Sequence, residues 1–295
     1  MIQTEPYEFM VKYTPQREWI ERRGILMWLA TFFIEAGAGT FLVASIFGNL
    51  WGMFVGIVIC AVLGGVLHLA YLGRPLRFWK ILFSGGWKTS WIARGLWFVS
   101  IFIVLSAIYL GLDMSASSIP GLLIVANIFA FCTIIYFGFV LSYVNALALW
   151  NSTLLPILIL VVSIWGGLGI LMLTLLAMGT EAATAEFWSR IFLLSFIFIV
   201  FLYLFGIRYQ GAGGKVSVQE IVRGRWAALF WVVVVLLGMI LPIVMGVTDW
   251  FLSSVPTIIL CVSILFELGA DLSLRYCLLR CALYEPIIPN LSYAT

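Results

Sequence analysis

Residues 68–94 read HLAYLGRPLRFWKILFSGGWKTSWIAR and join two long apolar runs. This connection holds the only histidine of the chain, five of its sixteen Lys and Arg residues and three tryptophans. A helix is predicted to end at Arg74-Pro75, because proline has no N–H to donate and restricts the residue before it. Basic residues and tryptophans are typical of the level where a spanning helix meets the lipid headgroups. The stretch therefore predicts a polar connection at a membrane surface.

Composition supports this interpretation for the whole chain. Of 295 residues, 64% are hydrophobic and 10% charged, with a mean hydropathy of +1.15. Soluble domains have about 45–50% apolar and about 25% charged residues. The net charge of +3 does not indicate nucleic-acid binding, because the basic residues flank apolar runs and leave no soluble basic face.

The apolar runs predict an all-α integral membrane protein with eight transmembrane helices in a bundle. Each run is near the roughly 20 residues that a helix needs to cross the hydrocarbon. The predicted spans are about 25–47, 51–72, 93–112, 119–141, 154–177, 189–207, 227–247 and 254–276. A polar N-terminal segment, 1–24, precedes them and a C-terminal tail, 277–295, follows. An even number of spans places both termini on the same side, and the Gly-rich segment 208–226 is predicted to be a mobile loop.

The basic residues are distributed unequally between the two sides of this arrangement. The side of the termini has fifteen of the sixteen: Lys12, Arg17, Arg22, Arg23, Arg74, Arg77, Lys80, Lys88, Arg94, Arg208, Lys215, Arg223, Arg225, Arg275 and Arg280. The other side has only Arg190. Because cytoplasmic loops carry an excess of Lys and Arg, both termini are predicted to be cytoplasmic.

Five polar side chains fall inside predicted spans: Glu35, His68, Tyr136, Glu267 and Asp271. A charged side chain in the hydrocarbon costs at least about 2.5–3.5 kcal/mol, so each needs a reason. The two glutamates fall near the midplane, and the other three lie one to two turns from the cytoplasmic end. This distribution favours a pocket that opens at one face over a pathway lined from side to side.

Less specific interpretations of these residues stay open. Glu267, Asp271 and Arg275 are spaced four residues apart on one helix face, so the last two could form an internal ion pair. Glu267 could take part in proton transfer. His68 could be a core histidine that donates to a carbonyl, although its ordinary titration range suits proton transfer. Arg94 and Arg275 are predicted to stand at the pocket mouth.

The sequence also limits the redox chemistry available to this chain. A bundle that binds a b-type haem usually uses two histidines, whereas this chain has one. Its five cysteines show no C-x-x-C spacing, which argues against an iron–sulfur cluster. Any electrons must therefore pass to or from another subunit.

Several motifs resemble the NrfD/PsrC/DmsC-type membrane anchor subunits. They are Leu72–Lys80 (LGRPLRFWK), Ser90–Gly95 (SWIARG), Tyr136–Gly138 (YFG), Leu149–Ser152 (LWNS), Leu154–Pro156 (LLP) and Phe266–Gly269 (FELG), the last followed by Asp271 and Arg275. The resemblance implies a subunit of the prokaryotic cell membrane that reacts with a quinone, either menaquinone or ubiquinone, and binds no haem or iron–sulfur cluster itself. It also implies a ferredoxin-like iron–sulfur partner and a molybdopterin-type catalytic subunit.

The resemblance and the polarity together suggest roles for individual residues. Tyr136 and His68 correspond to quinone-binding residues of that family. We expect Arg94 to stabilise negative charge at the quinone or to hold a carboxylate, and Asn151 belongs to a motif assigned to the same site. The candidates for proton transfer are Glu35, Glu267 and Asp271. Together with His68 and Tyr136, Glu35 is also a candidate catalytic residue. The candidates for partner docking are Arg74, Arg77, Lys80 and Lys88.

Two other functions remain possible from the sequence. One is an ion- or proton-coupled transporter, or a proton-conducting subunit, that uses Glu35, Glu267 and Asp271 as a relay. The other is a purely structural anchor, in which these acids could be neutralised without functional loss.

Overall fold

The computed structural model describes residues 16–83, 85–115, 117, 119–252 and 256–285. Eight helices in this part are long and apolar enough to cross a membrane, and the described residues form no strand beyond one isolated bridge, Leu147 to Tyr284. The predicted all-α fold with eight transmembrane helices is therefore confirmed. The helices are α1 Gly24–Ile46, α2 Leu50–Tyr71, α3 Trp91–Met114, α4 Pro120–Ser142, α5 Leu154–Ala177, α6 Ala183–Gln210, α7 Leu229–Thr248 and α8 Thr257–Arg280.

Two helices extend beyond their apolar runs. α6 begins at Ala183, and its first turns carry the i, i+4 ion pair of Glu186 and Arg190. α8 continues to Arg280, into the segment predicted as a tail. Hydropathy detects only the apolar part of a helix, so charged ends are missed. Residues 1–15 and 286–295 of the predicted terminal segments lie outside the described residues.

The two ends of the helical chain meet. Arg280 at the end of α8 donates from Nη1 to Oε1 of Glu21, which precedes α1, at 2.5 Å. The segments that flank the first and last helices therefore lie at the same end of the bundle.

Helices α1 and α5 form the centre of the bundle. About three quarters of their apolar windows are buried, 72% and 78%, against 28–44% for the other six helices. Glycines allow this packing: a Cβ at Gly37 would lie 2.5 Å from the Cys60 nitrogen of α2, and one at Gly39 would overlap the Ser163 carbonyl of α5. Close approach at small residues is a usual mode of helix association in membranes.

Short helices fill the two longer connections at the end where Glu21 and Arg280 meet. Between α2 and α3 lie Pro75–Arg77, Trp79–Phe83 and Gly86–Lys88. Between α6 and α7 lies the helix Ala212–Val222, so the prediction of a loop over 208–226 was wrong. The backbone N–H groups of Ala212 and Gly213 donate to the Glu285 carboxylate, a helix-capping contact from a residue 72 positions away, which local sequence could not indicate.

Candidate functional site

A cavity of about 460 Å³ lies among α1, α2, α3 and α4. Most of its wall is apolar, with Met27, Leu69, Leu96 and Val99 among the lining side chains. Phe78, from the connection between α2 and α3, also lines it. His68 of α2 and Tyr136 of α4 are among its few polar lining residues, so the structure brings together the two side chains that the sequence singled out for one site.

The position of His68 follows from an irregular α2. Ile59–Gly65 form a π-helical segment, and α-helical geometry resumes at Val66. A π turn holds more residues than an α turn and rotates the side chains that follow it; such segments are frequent at functional sites. His68 lies in the first turn after this segment and lines the cavity. Its Nδ1 is buried and has no hydrogen-bond partner within the described residues, so the backbone carbonyl expected for a structural core histidine is not found there.

The Tyr136 ring packs against a glycine of the neighbouring helix. It is buried in α4, and a Cβ at Gly95 of α3 would overlap its ring. Gly95 therefore provides the space that the phenol occupies. The ring of Phe137 lies 6.5 Å away, edge-on. Over the part of the chain that the structure describes, no hydrogen bond to the Tyr136 hydroxyl is formed.

Glu35 of α1, Arg275 and Asp271 of α8 and Ser163 of α5 form a charged cluster behind the pocket. The Arg275 Nε donates to Oδ1 of Asp271 at 2.5 Å, and Nη2 donates to Oδ2 at 3.3 Å and to the Ser163 Oγ at 3.1 Å. The Arg275 Nη1 donates to Oε2 of Glu35. Ile34, the residue before Glu35 in α1, lines the cavity, so the cluster adjoins the pocket wall.

The cluster confirms one sequence interpretation and overturns another. The ion pair of Asp271 and Arg275 at i, i+4 is present. However, Arg275 is only 2% exposed, so its predicted position at the pocket mouth was wrong. Its salt bridge to Glu35 joins residues 240 positions apart and left no local signal in the sequence.

Arg94 and Asn151 lie outside the cavity. Arg94 donates from Nε to the Trp87 carbonyl at 2.9 Å and from Nη2 to the Lys88 carbonyl at 2.6 Å. It also stacks over the Trp91 ring, 4.7 Å from the centroid. Asn151 accepts a hydrogen bond from Gln210 through its backbone carbonyl. Neither residue lines the cavity, and the predicted contact of each side chain with a ligand stays a prediction.

The remaining candidates are separate from the pocket. Glu267 of α8 accepts from the Ser263 Oγ at 3.5 Å, and its Oε2 is buried without a partner among the described residues. The basic side chains proposed for docking, Arg74, Arg77, Lys80 and Lys88, are exposed on the connection between α2 and α3. Within the described ranges no group of three or more His, Cys, Asp or Glu residues is placed to hold a metal ion.

Comparison with known proteins identifies the family. Residues 23–286 match the family described as "Polysulphide reductase, NrfD". The C subunit of polysulfide reductase from Wolinella succinogenes is 28% identical, and the match covers 77% of this chain and 85% of that protein. Protein NrfD of Escherichia coli is 25% identical, and the match covers 62% of this chain and 67% of that protein. The family match and the eight apolar helices indicate a multi-pass membrane protein. The chain thus belongs to the polysulphide reductase NrfD family.

Proposed function

We propose that this chain is the quinone-reactive membrane anchor of a multi-subunit reductase complex. It would exchange electrons between membrane quinone, either menaquinone or ubiquinone, and an iron–sulfur subunit. One observation supports this proposal above the others: two polar side chains, His68 and Tyr136, line an apolar cavity among the spanning helices. The buried Nδ1 of His68 has no hydrogen-bond partner in the described chain. The name of a relative, the C subunit of polysulfide reductase, is consistent with such a complex.

The cavity suits a quinone in size, polarity and access. Small-molecule pockets are mostly apolar, with a few placed polar groups and volumes of about 300–1,000 Å³. Two lining residues, Val66 of α2 and Ile92 of α3, are 59% and 53% exposed, so the cavity is open at these two residues. The cavity wall between these two helices therefore reaches the lipid, from which an apolar molecule can enter.

The polar side chains of the pocket and of the charged cluster can bind and orient the ligand and exchange protons with it. A quinone takes up two electrons and two protons on reduction and releases them on oxidation. In our proposal His68 and Tyr136 bond the two quinone oxygens, each side chain offering a donor or an acceptor. Glu35 and Asp271, behind Tyr136, exchange protons with the pocket. Glu267, one helical turn before Asp271 with an unpaired oxygen, extends this set toward the other end of α8.

The exposed basic residues of the connection between α2 and α3 would dock the partner. Arg74, Arg77, Lys80 and Lys88 project at the same end of α2 and α3 as the pocket. Exposed charges at the edge of an interface guide encounter and register more than they add affinity. The proposed partners are a ferredoxin-like iron–sulfur subunit and, beyond it, a molybdopterin-type catalytic subunit. In our proposal this end and both termini lie on the cytoplasmic side of a prokaryotic cell membrane, and the excess of basic residues on that side supports this orientation.

Tyr136→Phe tests the proposed quinone contact. The change removes one hydroxyl and keeps the ring, so we expect the affinity for a short-chain quinone analogue to fall roughly 3- to 10-fold, the equivalent of one hydrogen bond. Titration of the purified complex with the analogue measures its affinity. The rate at which quinol reduces the iron–sulfur clusters of the complex measures electron transfer. The control is Tyr203→Phe, which removes a buried hydroxyl bonded to the Leu149 carbonyl, away from the cavity. Equal affinities in wild type and Tyr136→Phe would contradict the site assignment.

A proton-conducting subunit or transporter is the alternative function. It would require the relay through Glu35, Asp271 and Glu267 to move ions without a quinone. Proton flux into liposomes that contain the purified chain, compared between wild type and Glu267→Gln, separates the two functions. Flux that depends on Glu267 and needs no quinol would favour the alternative.

A further inference from the structure

The charged cluster behind the pocket has one positive group and two acidic groups. Glu35 and Asp271 are fully buried and Arg275 is 2% exposed. With both carboxyls ionised, the cluster would hold a net charge of −1 inside the bundle. A buried charge without a counter-charge is strongly disfavoured, and such groups change protonation state instead. One carboxyl in this cluster therefore has reason to bind a proton.

Among the described residues, no second positive charge is paired with this cluster. Ser163 of α5 is neutral. On the pocket side, the titratable groups are Tyr136 of α4, which lines the cavity, and Cys60 of α2, which packs against Gly37 of α1. The nearest further acid on α8 is Glu267. Throughout the described ranges, Arg275 is the only cation that forms an ion pair with either Glu35 or Asp271. Neutralisation must then come from a proton.

The hydrogen bonds distinguish the two carboxyls. Both oxygens of Asp271 accept from the Arg275 guanidinium, at 2.5 and 3.3 Å. This bidentate contact is the geometry that favours an ionised carboxylate. Glu35 accepts only through Oε2, and its Oε1 is buried without a partner in the described residues. A neutral carboxyl tolerates this position better than a carboxylate, because it has less charge to solvate.

We propose that the cluster stores one proton, carried by Oε1 of Glu35, and that it serves as the proton store of the adjoining pocket. The second half of this proposal rests on the proposed quinone function; the first half does not. The resting state is then Glu35 neutral, Asp271 ionised and Arg275 protonated. In this state Glu35 donates a proton when a quinone is reduced, and it must lose that proton before it can accept one from a quinol.

Infrared spectroscopy of the purified full-length protein at neutral pH tests the stored proton directly. A protonated carboxyl has a carbonyl-stretch band that shifts in D₂O, whereas an ionised carboxylate has no such band. Glu267 is also buried with an unpaired oxygen, so the measurement is made in a Glu267→Gln background. We expect one such band there, and we expect it to disappear in Glu267→Gln/Glu35→Gln.

The second variant tests the charge count. In Glu267→Gln/Asp271→Asn, Arg275 faces Glu35 alone, so Glu35 should become ionised and the band should again disappear, although the glutamate is still present. A band that persists in this variant, or no band in the background protein, would overturn the proposal. The Asp271 variant keeps the test valid even if the Glu35 variant fails to fold.

Tyr136→Phe should keep the band while quinone binding weakens, so a failed quinone assignment remains distinguishable from a failed proton store.

Discussion

Two neighbouring polar regions within the membrane are organised in opposite ways. In the charged cluster, Arg275 bonds three side chains, those of Glu35, Asp271 and Ser163. In the pocket, His68 Nδ1 has no partner among the described residues. Ion pairs between helices hold those helices together, and a polar group without a partner that lines a cavity is available to a ligand. The comparison predicts that mutations in the cluster mainly change stability and that mutations in the pocket mainly change binding.

Arg275→Met should have the largest effect. It leaves two buried carboxyls and Ser163 without their common donor, and removal of one partner from a buried charge cluster costs about 3–5 kcal/mol. We expect a large loss of folded protein, measured by thermal unfolding in mild detergent.

The triple variant Glu35→Met/Asp271→Leu/Arg275→Met is the control for this prediction. Well-packed apolar residues often replace a buried ion cluster without loss of stability, so most of the lost stability should return. If the single variant unfolds like wild type, the cluster is not what joins α1 to α8.

Gly95→Ala should have an intermediate effect and tests the boundary between the two regions. The added Cβ would overlap the Tyr136 ring, and overpacking of this kind costs about 1–3 kcal/mol. Because the ring has to move, we also expect weaker binding of the quinone analogue. Gly111→Ala, on the same helix, meets nothing within 4 Å and should be neutral or slightly stabilising. Equal behaviour of the two alanine variants would show that Gly95 does not position Tyr136.

Much of the fold could be predicted from the sequence because apolar length is a direct physical requirement of the bilayer. The eight apolar runs predicted the number of transmembrane helices. Their ends were less predictable, as α6 and α8 show, since charged first and last turns remain helical but are not apolar. The helix Ala212–Val222 was missed because its glycines suggest a flexible loop, whereas Glu285 caps its first N–H groups from a distant part of the chain.

The site was partly predictable for a related reason. An ionisable residue inside an apolar run stands out, so His68, Glu35 and Asp271 could be found one by one. Their partners could be inferred only when the spacing was local, as for Asp271 and Arg275 on one helix face. The contact of Arg275 with Glu35 depends on how α8 crosses α1, and the role of Gly95 depends on how α3 lies against α4. Neither helix crossing is determined by the pattern within a single helix.

His68→Leu should have the smallest effect on stability and distinguishes the two regions most directly. Because His68 Nδ1 has no partner in the described chain, its removal breaks no hydrogen bond there, and we expect the free energy of unfolding to change by less than about 0.5 kcal/mol. Tyr203→Phe, which loses a buried bond to the Leu149 carbonyl, should cost about 1 kcal/mol in the same assay. Quinone affinity should show the reverse order, with a loss in His68→Leu and none in Tyr203→Phe. A His68 variant as unstable as the Tyr203 variant, with unchanged affinity, would make His68 a structural core residue after all.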